Sequence, residues 1–183
     1  MSKLEVAVLV GSLRAGSYNL SVAKGLQAIA PRGMTLEIIP IGDLPFYNQD
    51  LDEGTPPAAW TAFRKAIAAK QAVIFVTPEY NRSVPAALKN ALDVGSRPYG
   101  HSVWGGKPAA VISASMGAIS GFAANHHLRQ SLVFLDMPTL QQPEAYLAQV
   151  QNMLDDKGGL KPDTAKFLGT VLEKFATFAA KNL

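Results

Sequence analysis

The sequence predicts an α/β protein of the doubly wound kind, with a five-stranded parallel sheet between two layers of helices (a three-layer α/β/α sandwich). Three observations carry this. Short runs rich in β-branched residues alternate with longer stretches of helical periodicity. The first run, Leu4–Val10, is apolar at successive positions from Val6 to Val10 rather than at every second one, as a strand covered on both faces requires. Loops of small and hydroxyl residues follow the first, third and fourth runs, and open parallel sheets bind ligands beyond the carboxyl ends of their strands.

Leu4–Val10 is apolar and stops at Gly11, which gives the first strand. Tyr18–Ala30 reads as a helix halted by Pro31 and Gly33. Thr35–Ile41 is the second strand, and a long loop from Gly42 to Pro57 follows, with Gly, Pro, Asp and Asn throughout. Pro56 and Pro57 open a helix that runs to Lys70, with Thr55 placed to cap it. Ala72–Thr77 is the third strand, ended by Pro78, and a helix begins at Ser83 or Val84 and reaches Val94. The loop Gly95–Gly106 leads into the fourth strand, Ala109–Ala114; Ser120–Leu135 is a helix and Thr139–Gln141 a short fifth strand. In Asp163–Lys181, Phe167, Leu168, Val171, Leu172, Phe175 and Phe178 recur at three- and four-residue steps, so the tail is an amphipathic helix.

Composition narrows the function. At 183 residues the chain is expected to form one domain. Its 48% hydrophobic and 17% charged residues exclude a disordered tail or a coiled coil. There is no cysteine, which removes disulfides, thiolate-ligated metals, iron–sulfur clusters and thiol catalysis. The net charge of +3 comes without any Lys/Arg run, so no nucleic-acid stripe is expected, while an anionic small molecule is favoured. No apolar stretch approaches the ~18 residues of a membrane span, and Val6–Val10 is short of the ~7–15 residues of a signal-peptide core, so a cytoplasmic location is expected.

The first loop, Gly11-Ser12-Leu13-Arg14-Ala15-Gly16-Ser17-Tyr18-Asn19, joins a strand to a helix. The start of that helix offers unpaired N–H groups and a positive dipole end, both suited to phosphate. Ser12, Ser17 and Asn19 add donors and Arg14 a guanidinium fork. An ordinary capped turn with Arg14 in solvent would look similar; the position directly after the first strand favours the anion site. No G-x-G-x-x-G fingerprint and no G-K-[ST] is present. The second loop runs from Thr77 through Pro78, Glu79, Tyr80 and Asn81 to Pro85, and its amides can meet the polar edge of a planar ring. The third, Ser115-Met116-Gly117-Ala118-Ile119-Ser120-Gly121, has small residues that let backbone approach a flat ligand.

Together these segments resemble the NADPH-dependent FMN reductase family, of flavodoxin-like fold, nearest its quinone, chromate and azo-dye reductase branch. The residues that carry the resemblance are the first loop, Pro78-Glu79-Tyr80-Asn81, the run Pro85 to Asp93, Gly106-Lys107-Pro108 and His127-Leu128-Arg129-Gln130. The resemblance covers nearly the whole chain and implies one FMN-binding domain over residues 1–183. It implies that Ser12, Arg14, Ser17 and Asn19, with Tyr18 beside them, hold the FMN phosphate, and that Leu13 and Leu20 line the approach. Pro78, Glu79, Tyr80 and Asn81 would flank the isoalloxazine ring and ribityl chain, and Ser115, Met116 and Gly117 would border its other edge. It further implies NADPH or NADH as hydride donor, a small-molecule acceptor (quinone, free flavin, azo compound or metal oxyanion), and a homodimer or homotetramer. No acid, base or nucleophile is named, because the flavin performs the redox chemistry. Two rivals remain at this stage: a flavin-bound electron carrier for a protein partner, and a flavin-free phosphate-binding module.

Among the other residues, His126 and His127 are adjacent on a helix and cannot chelate one metal from the same face, so no metal is expected. His127 and Arg129 are read as packing or subunit-contact residues, and Asp50, Asp52 and Glu53 as a solvated acidic cluster. Trp60 and Phe63 are core. Phe46, Tyr47, Tyr99 and Trp104 lie in loops, where they can plug the local core or cover a flat substrate.

Overall fold

The computed structural model describes residues 3–183. Five strands, β1 (Leu4–Val10), β2 (Met34–Ile38), β3 (Ala72–Thr77), β4 (Ala109–Ala114) and β5 (Ala145–Leu147), pair in parallel in the order β2-β1-β3-β4-β5. This is the flavodoxin-like order, whose switch point lies between β1 and β3. The register sets Val6 beside Ala72 and Val73 beside Ala109. Because alternate residues of a strand face opposite ways, Val6, Val8 and Val10 join one core and Ala7 and Leu9 the other. The first core is closed by α1 (Tyr18–Ala28) and α6 (Pro162–Asn182), through Val22, Leu26, Leu168, Leu172 and Phe175. The second is closed by α3 (Ala58–Ala68), α4 (Ala86–Gly95) and α5 (Phe122–Phe134), through Trp60, Phe63, Leu88, Leu92 and Leu128.

Several boundaries differ from the sequence-based expectation. α1 ends at Ala28, two residues early, since Ala30 precedes Pro31 and is barred from helical geometry by its ring. β2 starts at Met34, opposite Leu4, and ends at Ile38, because Pro40 cannot donate to a ladder. The loop after β2 contains a short helix, α2 (Gln49–Glu53), started by Asn48, whose side-chain oxygen accepts from Asp50 N–H at 3.0 Å. α3 and α4 begin directly after Pro57 and Pro85, neither with a side-chain cap, so Thr55 is not the cap. α5 starts at Phe122 because Ser120 and Gly121 have φ of 55° and 74°.

The fifth strand is the clearest correction. Thr139–Gln141 was expected, but Thr139 makes only an isolated bridge to Ala109. The paired strand is Ala145–Leu147, beside Ile112–Ala114. Pro143 between them has no N–H for the ladder, and pairing resumes beyond it. A 3₁₀ turn at Val150–Asn152 was also not expected.

Candidate functional site

β1 and β4 both pair with β3, so the loops after these strands gather at one end of the sheet. Gly11 is the joint between the first two. Its N–H donates to Val76 O at 2.9 Å, and a Cβ there would stand 3.1 Å from Pro78 Cδ and 3.3 Å from Thr77 Oγ1. A side chain at this position would press on the end of β3 and on Pro78, and the neighbours would have to give by a few tenths of an ångström.

In the first loop, no backbone N–H from Ser12 to Asn19 has an acceptor among the described residues. Ser17 caps α1 by accepting from Leu20 N–H at 3.2 Å, and the first turn of α1 contains no acidic residue. The result is a run of donors at a positive helix end with no internal counter-charge, the arrangement that binds phosphate. Arg14 is exposed beside it and forms no hydrogen bond or ion pair among the described residues. Asn19 is 5% exposed; its Nδ2 donates to Ala114 O at 3.2 Å, tying α1 to the end of β4, while its Oδ1 is buried with no partner. Donors awaiting an anion next to an acceptor awaiting a donor suit a ligand that carries both a phosphate and hydroxyl groups, as FMN does.

In the second loop, Tyr80 and Ser83 exchange backbone hydrogen bonds of 3.1 and 3.0 Å around Asn81 and Arg82, whose φ values are 50° and 63°. Two consecutive left-handed residues make this a type I′ turn. Glu79 does not offer its carboxylate to a ligand: Oε2 accepts from Ala124 N–H and Oε1 from Arg82, both at 3.1 Å. The carboxylate thereby serves the start of α5, which lacks a side-chain cap of its own. What the loop presents instead are the N–H groups of Glu79 and Asn81, without acceptors among the described residues.

The third loop is pinned at Ser115, whose N–H donates to Leu147 O at 3.0 Å and whose Oγ accepts from Gly117 N–H at 3.1 Å. Met116 is exposed and its N–H has no acceptor among the described residues. All three loops are thus brought together, and each contributes unpaired amides.

A fourth segment joins them, the one whose aromatics Phe46 and Tyr47 were expected either to plug the local core or to cover a flat substrate. The loop Gly42–Pro57 folds over as a strap, and Asn90 on α4 holds it. Asn90 Oδ1 accepts from Tyr47 N–H at 2.9 Å, and its Nδ2 donates to Leu44 O and Pro45 O at 3.2 and 3.0 Å. Trp60 Nε1 also donates to Pro45 O, at 3.0 Å. Asp52 corrects the reading of a solvated acidic cluster: its side chain is only 2% exposed and takes a bidentate pair from Arg64 at 2.8 and 2.7 Å. Arg64 Nε donates to Val94 O, and its guanidinium lies 5.7 Å from the Trp60 ring. No sequence signal marks this set, because the partners come from different elements. Between the strap and the first two loops lies a cavity of about 570 Å³, reached by Leu13, Arg14, Phe46, Tyr80 and Asn90.

The remaining candidates fall into place. His126 faces Tyr146 (Nε2 to Oη, 2.9 Å) and His127 faces Ser83 (Nδ1 to Oγ, 3.1 Å), on different sides of α5. Among the described residues no three His, Asp or Glu side chains are grouped to hold a metal. Tyr146 donates to Glu144 at 2.8 Å, and its burial together with that carboxylate pushes its pKa up to about 12. Arg129 braces α5 through Asn125 and Leu140 O, both at 2.8 Å. Of the loop aromatics, Trp104 is wholly buried and donates to Leu92 O at 3.0 Å, and Tyr47 packs on Trp60 at 5.4 Å; Phe46 and Tyr99 are 75% and 91% exposed.

A family model described as NADPH-dependent FMN reductase matches residues 4–152. A Pseudomonas putida protein named quinone reductase is 56% identical over 177 residues, 97% of this chain and 95% of its own. A Burkholderia protein named 2-hydroxy-1,4-benzoquinone reductase is 45% identical over 176 residues, 96% of each chain. The structure of FerB, a flavoenzyme NAD(P)H:(acceptor) oxidoreductase from Paracoccus denitrificans, superposes with a TM-score of 0.91 at 38% identity, covering 98% of both chains.

Proposed function

We propose, from the premise that this chain belongs to the NADPH-dependent FMN reductase family, that it is an oxidoreductase whose residues 1–183 form one FMN-binding domain and that it reduces quinones at the expense of NADPH or NADH. The observation that carries the reading is the run of unpaired N–H groups from Ser12 to Asn19 at the start of α1, beside the free Arg14. When bound, FMN supplies a two-electron centre that accepts hydride and releases electrons to a second acceptor. The first loop, with Ser12, Ser17, Tyr18 and Asn19, would seat the phosphate, and Arg14 would add a charge-assisted fork. Leu13 and Leu20 would border the ribityl chain, and the otherwise unpartnered Asn19 Oδ1 suits a hydroxyl donor there. The N–H groups of Glu79, Asn81 and Met116 would donate to the polar edge of the ring, with Pro78, Tyr80, Ser115 and Gly117 as its walls. Fixed donors of this kind stabilise negative charge that develops during reduction without having to reorganise.

The bound cofactor is expected to be FMN, not FAD, because one anion loop is present and the dinucleotide fingerprint is not. Release by heat and chromatographic identification checks this; FAD as the main species would overturn it. Steady oxidation of NADPH or NADH that depends on a soluble quinone tests the activity. Its absence in FMN-loaded protein would favour an electron carrier.

The reading extends to a homo-oligomer in the cytoplasm. Among the described residues no helix is long and apolar enough to cross a membrane. Val133 and Phe134 at the end of α5 are 76% and 86% exposed, and a groove of about 530 Å³ opens between α4 and α5 beside Phe134. Large apolar side chains held in water at a groove are typical of a surface that a partner covers, and a second copy is the partner proposed. Light scattering is expected to report two or four chains, since closed symmetric assemblies dominate. A mass of one chain at micromolar concentration with full activity would overturn the oligomer.

A further inference from the structure

Phe46 combines two properties that rarely coincide. Its backbone is held rigidly and its side chain is left in water. Asn90, itself 6% exposed, binds the carbonyls of Leu44 and Pro45 on one side of Phe46 and the N–H of Tyr47 on the other. Trp60 adds a second donor to Pro45 O, and the Asp52–Arg64 pair fixes the strap further along. A buried amide that satisfies three backbone groups leaves this turn little freedom. Yet the ring so positioned is 75% exposed. It borders the cavity of about 570 Å³, whose other exposed large hydrophobic side chains are Leu13 and Tyr80 from the loops at the sheet end. The other loop aromatics do not share this role: Trp104 and Tyr47 pack inward, and Tyr99, though exposed, does not line this cavity.

We infer that Phe46 is a specificity-determining residue of the acceptor site, a preset aromatic wall on which planar bicyclic or larger quinones stack. This rests on the quinone reductase reading and deepens it. Offset stacking on a held ring lowers the entropy lost on binding, because the wall is already in place. A compact acceptor without a flat face, such as ferricyanide, takes no benefit from the wall. Asn90 acts at one remove, as a positioning residue for the strap.

The test compares Phe46→Ala and Phe46→Trp in FMN-loaded protein. The readout is the ratio of kcat/KM for 2-methyl-1,4-naphthoquinone to that for ferricyanide, with the same nicotinamide donor. Phe46→Ala is expected to lower this ratio on the order of 10-fold, through KM rather than kcat, and Phe46→Trp to preserve it. Calorimetric binding of 2-naphthol, a flat aromatic with no carbonyl to reduce, should weaken by a similar factor in Phe46→Ala alone. An unchanged ratio with unchanged 2-naphthol affinity, or an equal loss in both variants, would overturn the inference. Failure of the wild type to take up FMN would instead sink the reading beneath it, so the two failures are distinct.

Discussion

Replacing Trp104 by alanine is expected to lower the melting temperature by about 6–20 °C, from a loss of ~3–5 kcal/mol at roughly 2–4 °C per kcal/mol for a chain of this size. Trp104 is wholly buried against Phe63 and Phe75, with ring centroids 6.1 and 6.2 Å away. Truncation leaves a cavity in the second core and removes the indole N–H from Leu92 O, which then keeps only its 3.0 Å bond from Ser96 N–H. Gly95 reports on the same contact from the other side. A Cβ at Gly95 would lie 2.5 Å from Trp104 Cζ2, a rigid ring atom without room to retreat, so Gly95→Ala should also destabilise, by ~1–3 kcal/mol. Calorimetry or circular dichroism on heating checks both. Folded Trp104→Ala protein at low temperature should keep the wild-type preference between flat and compact acceptors, because the indole does not reach the cavity. A melting point within 2 °C of wild type would show that the core re-collapses around the loss.

Arg14→Ala is expected to weaken FMN binding about 10- to 150-fold, the equivalent of the ~1.5–3 kcal/mol contributed by a hydrogen bond to a charged group. The free protein should melt unchanged, since Arg14 is exposed and bonds to nothing among the described residues. Wild-type affinity should fall as salt rises, and the variant's should fall less steeply. Flavin titration of the apoprotein measures all three. An unchanged dissociation constant would mean that the amides of Ser12–Asn19 carry the phosphate alone.

The three loops of the candidate site were legible as loops because local chemistry builds them. A strand that must end, a helix that must start and an unpartnered helix N-terminus are all properties of nearby residues, and Gly11, Ser17 and Asn19 announce them. Glu79 shows where this breaks down. Its place in the loop was readable, but its carboxylate is spent on Ala124 N–H and Arg82, and nothing in the order of residues shows that α5 begins beside it. The fifth strand failed for a related reason. Thr139–Gln141 and Ala145–Leu147 are both short, and the choice fell to the stretch that meets β4 in register after Pro143.

The sequence by itself determined the parallel sheet, its two-sided cover of helices, the three loops at the carboxyl end of the strands and the donor-rich first of them, because periodicity and turn chemistry act over a few residues. Only the tertiary structure decided what the long loop after β2 does. Asp52 is buried under Arg64, Asn90 gathers three backbone groups of the strap, and Phe46 is left standing over the cavity. Each of these joins residues from separate elements, up to 46 positions apart. Buried polar groups must find partners wherever the packed chain brings them, and that meeting is settled by how helices and loops dock on the sheet.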